Sequence, residues 1–560
     1  MKNFLKTNFI YIAVIAFICF VMIFFISKKE GFHEDEMFSY GSSNYAYDNV
    51  FRPYGTADEL NTFIIKDIVK NNFFETLKNF NKYFIFEKAK KEKILSDIHN
   101  MQKPVWKTNT EAKQYLSIQK SDILNYKMVY YNQSRDIHPP LFYFFVHTVS
   151  ILFFNRFSKY IIFIINLSFM ILSLITIIKI FKTAKKNHLI IPALIFYGFS
   201  MGAVSTVMFQ RMYGMLTFFV LRFIFIHAVI TKNNLHITKD IKKRLFIIIL
   251  LGFLTQYYFC IVAVTVFFFT FIFMLKENGK SEAFSYLSCY LKAAATGIVL
   301  YPFCINDIFF SYRGVKSVHS IGFLQRLPKY FESIGYSFSI SFFHLALMLA
   351  VLMLLSLLNG IETKNYRDFW CVFVLNSTIV IYVCIVAAIS PVLEDGSYIR
   401  YIMCILPIIC LAFMFSADVI LKNKIILKHT LTVFAIIICV NGLIFNCPKF
   451  LYKNYNKYIS IAKTYQHDKF VYVGDSIFNH IQSMPEFAVY SESLILNENQ
   501  LDYLDDQKIK NSNEFILSIK KYKDADAIFN NVLKITGFSN SVLLYDDSGE
   551  VGCRIYRVFK

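Results

Sequence analysis

The feature that most constrains this chain is a series of apolar runs, each about as long as a helix must be to cross a bilayer. About 20 apolar residues span the hydrocarbon core as a helix. The chain is 56% hydrophobic and 18% aromatic over 560 residues, which is too apolar for a water-soluble globule. We therefore predict a polytopic α-helical membrane protein. The runs lie at 9–27, 160–180, 190–209, 213–231, 245–275, 287–305, 337–358, 369–392, 401–421 and 429–446.

Two runs leave the number of spans open. The run 245–275 is long enough for two tightly connected spans, whereas the run 140–154 is short for one. We expect about eleven to thirteen membrane segments. The first run has no small-residue cleavage site, so we expect a retained helix with a cytoplasmic amino terminus.

The net charge of +20 is distributed as a membrane topology requires. The basic residues cluster in short loops between apolar runs and not on one continuous face, which argues against nucleic acid as a partner. Cytoplasmic loops are rich in Lys and Arg. We therefore place these loops inside and the intervening ones outside. The basic loops are 182–186, 232–244, 276–280, 364–367 and 422–428.

The number of membrane crossings before the loop 182–186 conflicts with this topology. If 140–154 crosses the membrane fully, the basic loop 182–186 falls outside. Either the short run is re-entrant or interfacial, or this loop breaks the charge rule. We favour the first alternative.

Two polar regions interrupt the membrane pattern, and they define four parts of the chain. The parts are a first transmembrane helix (1–27), a first outer loop (28–137), a transmembrane bundle (138–446) and an outer domain (447–560). The first loop has amphipathic stretches at 60–80 and 84–98, which suit a bilayer surface. In the last part, 469–475, 541–545 and 554–559 predict strands and 476–483 predicts a helix. We therefore expect a small α/β domain outside the membrane.

Three carboxylates, Glu34, Asp35 and Glu36, follow the first apolar run directly. Acids crowded at a membrane surface are costly because of desolvation and mutual repulsion, so they indicate a functional site. The alternative is a solvated loop. A second cluster, Arg135-Asp-Ile-His-Pro-Pro-Leu-Phe-Tyr143, places Asp136 and His138 where two prolines begin a helix. An isolated histidine there could also be an ordinary capping or interfacial side chain.

Arginines and tyrosines follow at the outer ends of later runs. Arg211 and Tyr213 lie between two apolar runs, Tyr257 lies in an outer turn, and Glu394-Asp-Gly-Ser-Tyr-Ile-Arg400-Tyr401 precedes a further run. An arginine at a membrane boundary could simply extend to lipid phosphates. Outer arginines oppose the usual charge bias, however, and a guanidinium binds two phosphate oxygens as a fork. Carboxylates together with arginines suggest an acid–base centre beside a phosphate site.

These residues resemble the motifs of the GT-C glycosyltransferases, a group that includes protein O-mannosyltransferases (glycosyltransferase family 39-like) and bacterial aminoarabinose transferases. Asp35-Glu36-Met-Phe-Ser39 resembles the first-loop Asp-Glu-x-x-Ser motif, and Asp136–Tyr143 resembles Asp-x-His-Pro-Pro-Leu-x-Tyr. Arg211-Met-Tyr213, and Arg400-Tyr401 with Pro407, resemble the later Arg-x-Tyr and Arg-Tyr elements. The resemblance covers roughly residues 5–420 and does not extend to the last domain.

The resemblance implies the GT-C fold and transfer of a sugar from a polyprenyl-phosphate donor, with inversion, at the outer face of the plasma membrane. It implies Asp35 as the base and Glu36 as a residue that shapes the site. Asp136, His138, Arg211, Tyr213, Tyr257, Arg400 and Tyr401 would bind substrate or lipid phosphate. Some relatives use a divalent metal, so the cofactor is left open, with Glu34, Asp35 and His138 as candidate ligands.

Two other functions remain as alternatives. A transporter or flippase of a lipid-linked sugar could use the same charges, although transporters usually place them near the midplane of repeated halves. A catalytically inactive scaffolding relative is the other. The Ile, Phe, Lys and Asn content suggests an AT-rich bacterial genome and hence undecaprenyl phosphate. The sugar, the envelope acceptor and the oligomeric state are not predicted.

Overall fold

The chain divides into two units in the computed structural model. Unit 1 comprises Met1–Ser27, Ile137–Phe142 and Ile162–Lys449, and unit 2 comprises Lys28–Asp136, Tyr143–Ile161 and Phe450–Lys560. The structure describes residues 2–45, 104–134, 136–305, 307–308, 322–341, 366–392, 396–420, 423–474, 477–520, 524–547 and 552–560, with isolated positions at 75, 78, 343–344, 347, 350–351 and 354.

Membrane-length helices dominate the part of the chain that the structure describes. Eight are long and apolar enough to cross a bilayer, or nine if one bent pair is a single span, and the predicted run 337–358 lies largely outside the described residues. The polytopic helical prediction is therefore confirmed. The eight are Asn8–Ser27, Tyr160–Thr183, Tyr213–Lys232, Tyr258–Glu277, Lys280–Leu300, Cys371–Ile389, Ser397–Ile420 and Lys424–Phe445.

The predicted span 190–209 is not one straight helix. Asn187–Gly198 and Met201–Met208 meet at an angle of 58°. The break falls at Ser200, whose hydroxyl accepts a hydrogen bond from the Ala203 amide at 3.2 Å and so begins a new helix. A serine within an apolar run does not by itself indicate a break.

The run 245–275 forms two helices, Lys239–Thr255 and Tyr258–Glu277, as the sequence predicts. Another helix, Phe323–Phe338, lies in the region predicted as an outer loop. The run 401–421 begins as a 3₁₀ segment, Ser397–Ile405, and continues as the α-helix Leu406–Ile420. Pro407 lies in the first turn of that α-helix, where its missing amide costs nothing.

The short run forms the helix Leu141–Ile151, which has 11 residues. At 1.5 Å per residue this helix is about 16 Å long, roughly half of what a full crossing requires. Its length favours the re-entrant or interfacial interpretation, and the inside position of the loop 182–186 stays a prediction.

Contacts between basic loops place them at one end of unit 1. Lys182 Nζ lies 3.0 Å from Asn8 Oδ1, so the loop 182–186 and the amino-terminal helix share that end. Lys186 Nζ lies 2.5 Å from Asp418 Oδ2. The side chain of Asn278 donates to the Asn234 carbonyl at 3.0 Å, which joins two further loops. The positive-inside rule predicts that this end is cytoplasmic.

Unit 2 contains a six-stranded sheet. The strands are β1 (Trp106–Thr108), β2 (Lys469–Gly474), β3 (Glu492–Asn497), β4 (Glu514–Lys520), β5 (Asn540–Asp546) and β6 (Cys553–Phe559), in the order β1-β3-β2-β4-β6-β5. β2 is parallel to β3 and β4, and the outer pairs are antiparallel. The central strands are buried, as their apolar runs require. This confirms the predicted α/β domain.

The first loop contributes to that sheet. Trp106–Thr108 pairs antiparallel with residues 492–494, so the loop and the carboxy-terminal region, which the sequence separates, form parts of one unit. The amphipathic stretches 60–80 and 84–98 lie outside the described residues apart from two isolated positions. The further helices with residues in this unit are Glu34–Asn44, Asn109–Leu116, Tyr126–Gln133, Leu141–Ile151, Tyr455–Thr464, Ile477–Gln482, Met484–Phe487, Gln507–Lys510 and Ala525–Thr536.

Candidate functional site

The three predicted carboxylates form the first turn of the helix Glu34–Asn44 in unit 2. His33 precedes the helix as its cap, with Nδ1 accepting a hydrogen bond from the Asp35 amide at 3.1 Å. An accepting Nδ1 carries no proton, so any ring proton of His33 is on Nε2. Acids in a first turn are stabilised by the helix dipole. A helix terminus, and not a solvated loop, therefore holds the acidic motif.

Glu36 is the most constrained of the three acids. Lys29 Nζ lies 3.0 Å from both of its carboxylate oxygens, and both side chains are fully buried. The His33 amide donates to Glu36 Oε2 at 2.7 Å, and Lys29 also donates to the Phe450 carbonyl at 2.5 Å. Glu36 thus orients the start of the acidic helix, and its role in shaping a catalytic site stays a prediction. Sequence reasoning missed Lys29, which looks like an ordinary basic residue after an apolar run.

Asp35 and Glu34 are the more accessible acids. Their side chains are 15% and 27% exposed, against 0% for Glu36. The Ser39 hydroxyl donates to the Asp35 carbonyl at 3.2 Å, one turn along the helix. Both acids lie in the first turn, at the positive end of the helix dipole, which favours an ionised carboxylate.

The acidic helix is held in place by close packing. A Cβ on Gly41 would clash with the Tyr115 ring, which shows how closely the helix Asn109–Leu116 approaches. The Tyr40 hydroxyl donates to the Ser158 carbonyl at 2.9 Å, and Nδ2 of the Asn44 side chain donates to Ser150 Oγ at 3.1 Å. Positions on such a helix are set more accurately than positions on a loop.

In unit 1, the structure brings two predicted residues together. Arg211 Nη2 lies 3.3 Å from His138 Nε2, and the two side chains are 2% and 7% exposed. Asn166, fully buried, donates to the Phe209 carbonyl at 2.8 Å and so holds the turn that carries Arg211. Tyr213 stacks on Phe209 with ring centroids 5.7 Å apart. His138 is therefore more than a cap, because it contacts a buried guanidinium.

Arg400 and Tyr401 form a second group in unit 1. Arg400 Nη2 lies 3.2 Å from the Tyr401 hydroxyl and Nη1 lies 3.3 Å from Ser397 Oγ. Tyr401 is itself held, since the Tyr382 hydroxyl donates to its carbonyl at 2.7 Å. The 3₁₀ segment Ser397–Ile405 packs against the helix Tyr213–Lys232, so both arginine motifs lie on elements that touch.

Two further charged residues were missed. Asp307 is buried and accepts a hydrogen bond from the Tyr257 hydroxyl at 2.7 Å, which gives the predicted residue Tyr257 a carboxylate partner. Burial, followed by the nearby Asp307 carboxylate, raises the pKa of Tyr257. Arg326 donates to the carbonyls of Ser390 and Ala388 at 3.1 and 3.2 Å. The signal in the sequence is an acid and an arginine within the predicted outer loop 306–336.

The remaining predicted residues are less defined. Asp136 is half-buried at the end of a unit 2 segment, with its amide donating to the Gln133 carbonyl at 2.9 Å. Arg135, Glu394 and Asp395 lie outside the described residues. Among the described residues, no group of three or more His, Cys, Asp or Glu side chains could hold a metal ion. The suggested ligands Glu34, Asp35 and His138 remain a sequence prediction.

These features define the class of protein: a multi-pass membrane protein of GT-C fold with a small sheet domain. Over nearly its whole length the chain is similar to the structure of ArnT from Cupriavidus metallidurans bound to undecaprenyl phosphate. The TM-score is 0.51 and the identity 9%, with 99% of this chain and 98% of that chain covered. This likeness establishes the fold.

A more distant likeness is to the oligosaccharyltransferase of Archaeoglobus fulgidus in complex with Zn and sulfate. Its TM-score is 0.38 at 10% identity, over 74% of this chain and 64% of that one. No protein-family model and no curated protein matches the chain.

Proposed function

We propose that this protein is an integral membrane glycosyltransferase that takes a sugar from a polyprenyl phosphate, undecaprenyl phosphate in a bacterium, and transfers it to a cell-envelope acceptor. The observation that carries the proposal is the buried contact of Arg211 with His138. An ionised side chain inside a membrane bundle is costly and indicates a binding site for the opposite charge. The GT-C neighbour bound to undecaprenyl phosphate supports a lipid phosphate as that anion.

The two arginines have complementary chemistry for a phosphate leaving group. A guanidinium offers several N–H donors in a plane and stays charged, so it stabilises the charge that develops on the departing phosphate. In this proposal Arg211 and Arg400 donate hydrogen bonds to the phosphate. His138, Tyr213, Tyr257 and Tyr401 are proposed to bind the lipid phosphate or the substrate beside them. Asp307 and Arg326 are proposed as positioning residues. Asp307 holds the Tyr257 hydroxyl, and Arg326 holds the backbone at Ser390.

Asp35 is proposed as the general base. In a single displacement, the acceptor hydroxyl gives its proton to the Asp35 carboxylate while its oxygen bonds to the anomeric carbon. The bond from that carbon to the phosphate oxygen breaks, and the electron pair leaves with the polyprenyl phosphate. Such a step inverts the anomeric configuration. Glu36, ion-paired with Lys29, orients the acidic helix, and Asp136 is proposed to help bind the substrate.

The test uses purified protein in liposomes with a panel of radiolabelled undecaprenyl-phosphate sugars. Wild type is expected to consume one donor, and Asp35→Asn should lose at least a hundredfold in rate, the usual range for a general base. Glu111→Gln is the control, since it removes a carboxylate from the first turn of another helix of unit 2 and should leave the rate unchanged. If Asp35→Asn turns over normally, the base assignment is wrong.

A transporter or flippase of a lipid-linked sugar is the second candidate, because the same buried arginines could form a binding path. It predicts that labelled donor binds to wild type and to Asp35→Asn equally and crosses the bilayer without release of the sugar. An inactive scaffolding relative predicts neither turnover nor transport. The sugar and the acceptor, whether glycan, lipid or protein, would be identified by the same panel.

A further inference from the structure

A cavity of about 470 Å³ lies within unit 1, away from every residue assigned above. Its volume is in the range of ligand-binding pockets. Five helices line it, through the ends of Tyr160–Thr183, Tyr213–Lys232, Leu406–Ile420 and Tyr258–Glu277 and the start of Cys371–Ile389. Most of these lining residues are apolar, including Ile180, Ile224, Val374 and Phe415.

The cavity is at the cytoplasmic end of the bundle. Its lining includes Lys185 and Lys186 of one basic loop and Lys232 of another. The same end holds the Lys186–Asp418 ion pair and the contact of Lys182 with Asn8. Since the positive-inside rule places these loops in the cytoplasm, the cavity faces the inner leaflet.

The mouth of the cavity is positively charged. Lys186 pairs with Asp418, whereas Lys185 and Lys232 have exposed side chains and form no ion pair with a described carboxylate. Lys185 has a φ of 59°, and the Lys186 amide bonds back to the Phe181 carbonyl at 2.8 Å. Glycine or asparagine usually occupies such a helix end, because other side chains are strained there. A lysine at this position holds a cation at the cavity mouth despite that strain.

The histidine in the cavity wall does not supply a charge. His227 Nε2 lies 2.7 Å from the Tyr286 hydroxyl and Nδ1 lies 2.8 Å from the Phe223 carbonyl. With Nδ1–H donating and Nε2 accepting, a neutral imidazole satisfies both contacts. The lysines therefore determine which ligand charge the cavity favours.

We propose that this cavity binds an anionic phospholipid of the cytoplasmic leaflet, with its phosphate at Lys185 and Lys232 and an acyl chain against the apolar lining. Basic pockets between transmembrane helices on the cytoplasmic side bind anionic lipid head groups. An apolar interior behind a cationic mouth matches an amphiphile better than it matches a water-soluble anion. The site is independent of the sugar transfer proposed above.

Native mass spectrometry of the full chain in detergent tests this inference, with phosphatidylglycerol and phosphatidylcholine as probes. Wild type is expected to retain phosphatidylglycerol preferentially, and Lys185→Gln/Lys232→Gln should weaken that binding about 30-fold. The matched control is Lys239→Gln/Lys243→Gln, which removes the same charge from exposed lysines that do not line the cavity. The control should change binding less than about twofold.

A second variant tests the apolar part of the site. Ala228→Phe adds a ring where Ala228 lines the cavity and leaves the lysines unchanged, so it should also displace phosphatidylglycerol. The inference is overturned if phosphatidylglycerol and phosphatidylcholine bind equally. It is overturned too if Lys185→Gln/Lys232→Gln and Lys239→Gln/Lys243→Gln weaken phosphatidylglycerol binding to the same extent. It is also overturned if Ala228→Phe binds as wild type does, which indicates adsorption at the surface, or if inorganic phosphate alone displaces the lipid, which indicates a plain anion site.

Discussion

Lys29 and Glu36 form an ion pair in which both side chains are fully buried, with Lys29 Nζ 3.0 Å from each carboxylate oxygen. The pair joins the segment after the first transmembrane helix to the first turn of the acidic helix. Because Lys29 also donates to the Phe450 carbonyl, the start of the carboxy-terminal part of unit 2 is tied to the same point. The position of Asp35, one residue before Glu36, depends on this arrangement.

Lys29→Met is expected to destabilise unit 2 strongly, because it leaves the Glu36 carboxylate buried without its cation. Breaking a buried pair from one side costs about 3–5 kcal/mol, whereas replacing both partners with apolar residues costs much less. Thermal unfolding should therefore rank Lys29→Met below Lys29→Met/Glu36→Leu. The control is Lys107→Met, which breaks a partly exposed pair with Glu111 worth about 0.5 kcal/mol. Equal losses in Lys29→Met and Lys107→Met would contradict the burial argument.

Arg400→Lys is expected to lose most of the donor affinity although it keeps the positive charge. A lysine cannot form the planar fork to two phosphate oxygens, and it cannot reproduce the contacts to Tyr401 and Ser397. One charge-assisted hydrogen bond contributes about 1.5–3 kcal/mol, so the KM for donor should rise about 10- to 100-fold in the liposome assay. Arg156→Lys, at an exposed arginine, should leave KM unchanged. Unaltered KM in Arg400→Lys would remove Arg400 from the phosphate site.

Unit 2 should lose stability as the pH rises. Burial raises the pKa of Glu486 to about 8. The Tyr455 hydroxyl and Lys520 lower this pKa, but by less than burial raises it. Glu486 therefore keeps its proton in the folded state up to about pH 8, whereas the unfolded state releases it near pH 4.5. The contribution of this group to the free energy of unfolding is full below pH 4.5 and falls as the pH rises to about 8. The apparent melting temperature should fall across this window in wild type and fall less in Glu486→Gln. Parallel pH profiles of the two proteins would refute the assignment.

Cys447 should be the main thiol labelled from outside the cell. All eleven cysteines are free thiols, and Cys447 is the exposed one, placed after the last helix of unit 1. A membrane-impermeant maleimide added to intact cells should label wild type but not Cys447→Ser. As a topology control, Asn234→Cys in the Cys447→Ser background should be labelled only after the cells are opened. Labelling of Asn234→Cys in intact cells would reverse the topology.

Much of the fold could be predicted because its determinants are local. A run of about 20 apolar residues specifies a membrane helix whatever surrounds it. The segment 469–475 likewise predicted β2, which the structure shows at Lys469–Gly474. The motif residues were also recognisable, and the structure brings His138 to Arg211 and Arg400 to Tyr401. The roles of Asp35, Asp136 and the arginines in sugar transfer stay predictions.

The amino-acid sequence by itself determined the membrane class, most of the spans and the acidic and arginine motifs, because period, length and residue type suffice for them. Only the tertiary structure decided which partners these residues meet. The pairing of Trp106–Thr108 with β3, the burial of Lys29 against Glu36, and the gathering of Lys185 and Lys232 at one cavity join segments far apart in the chain. Contacts of that kind depend on how the elements pack together, and no local pattern encodes them.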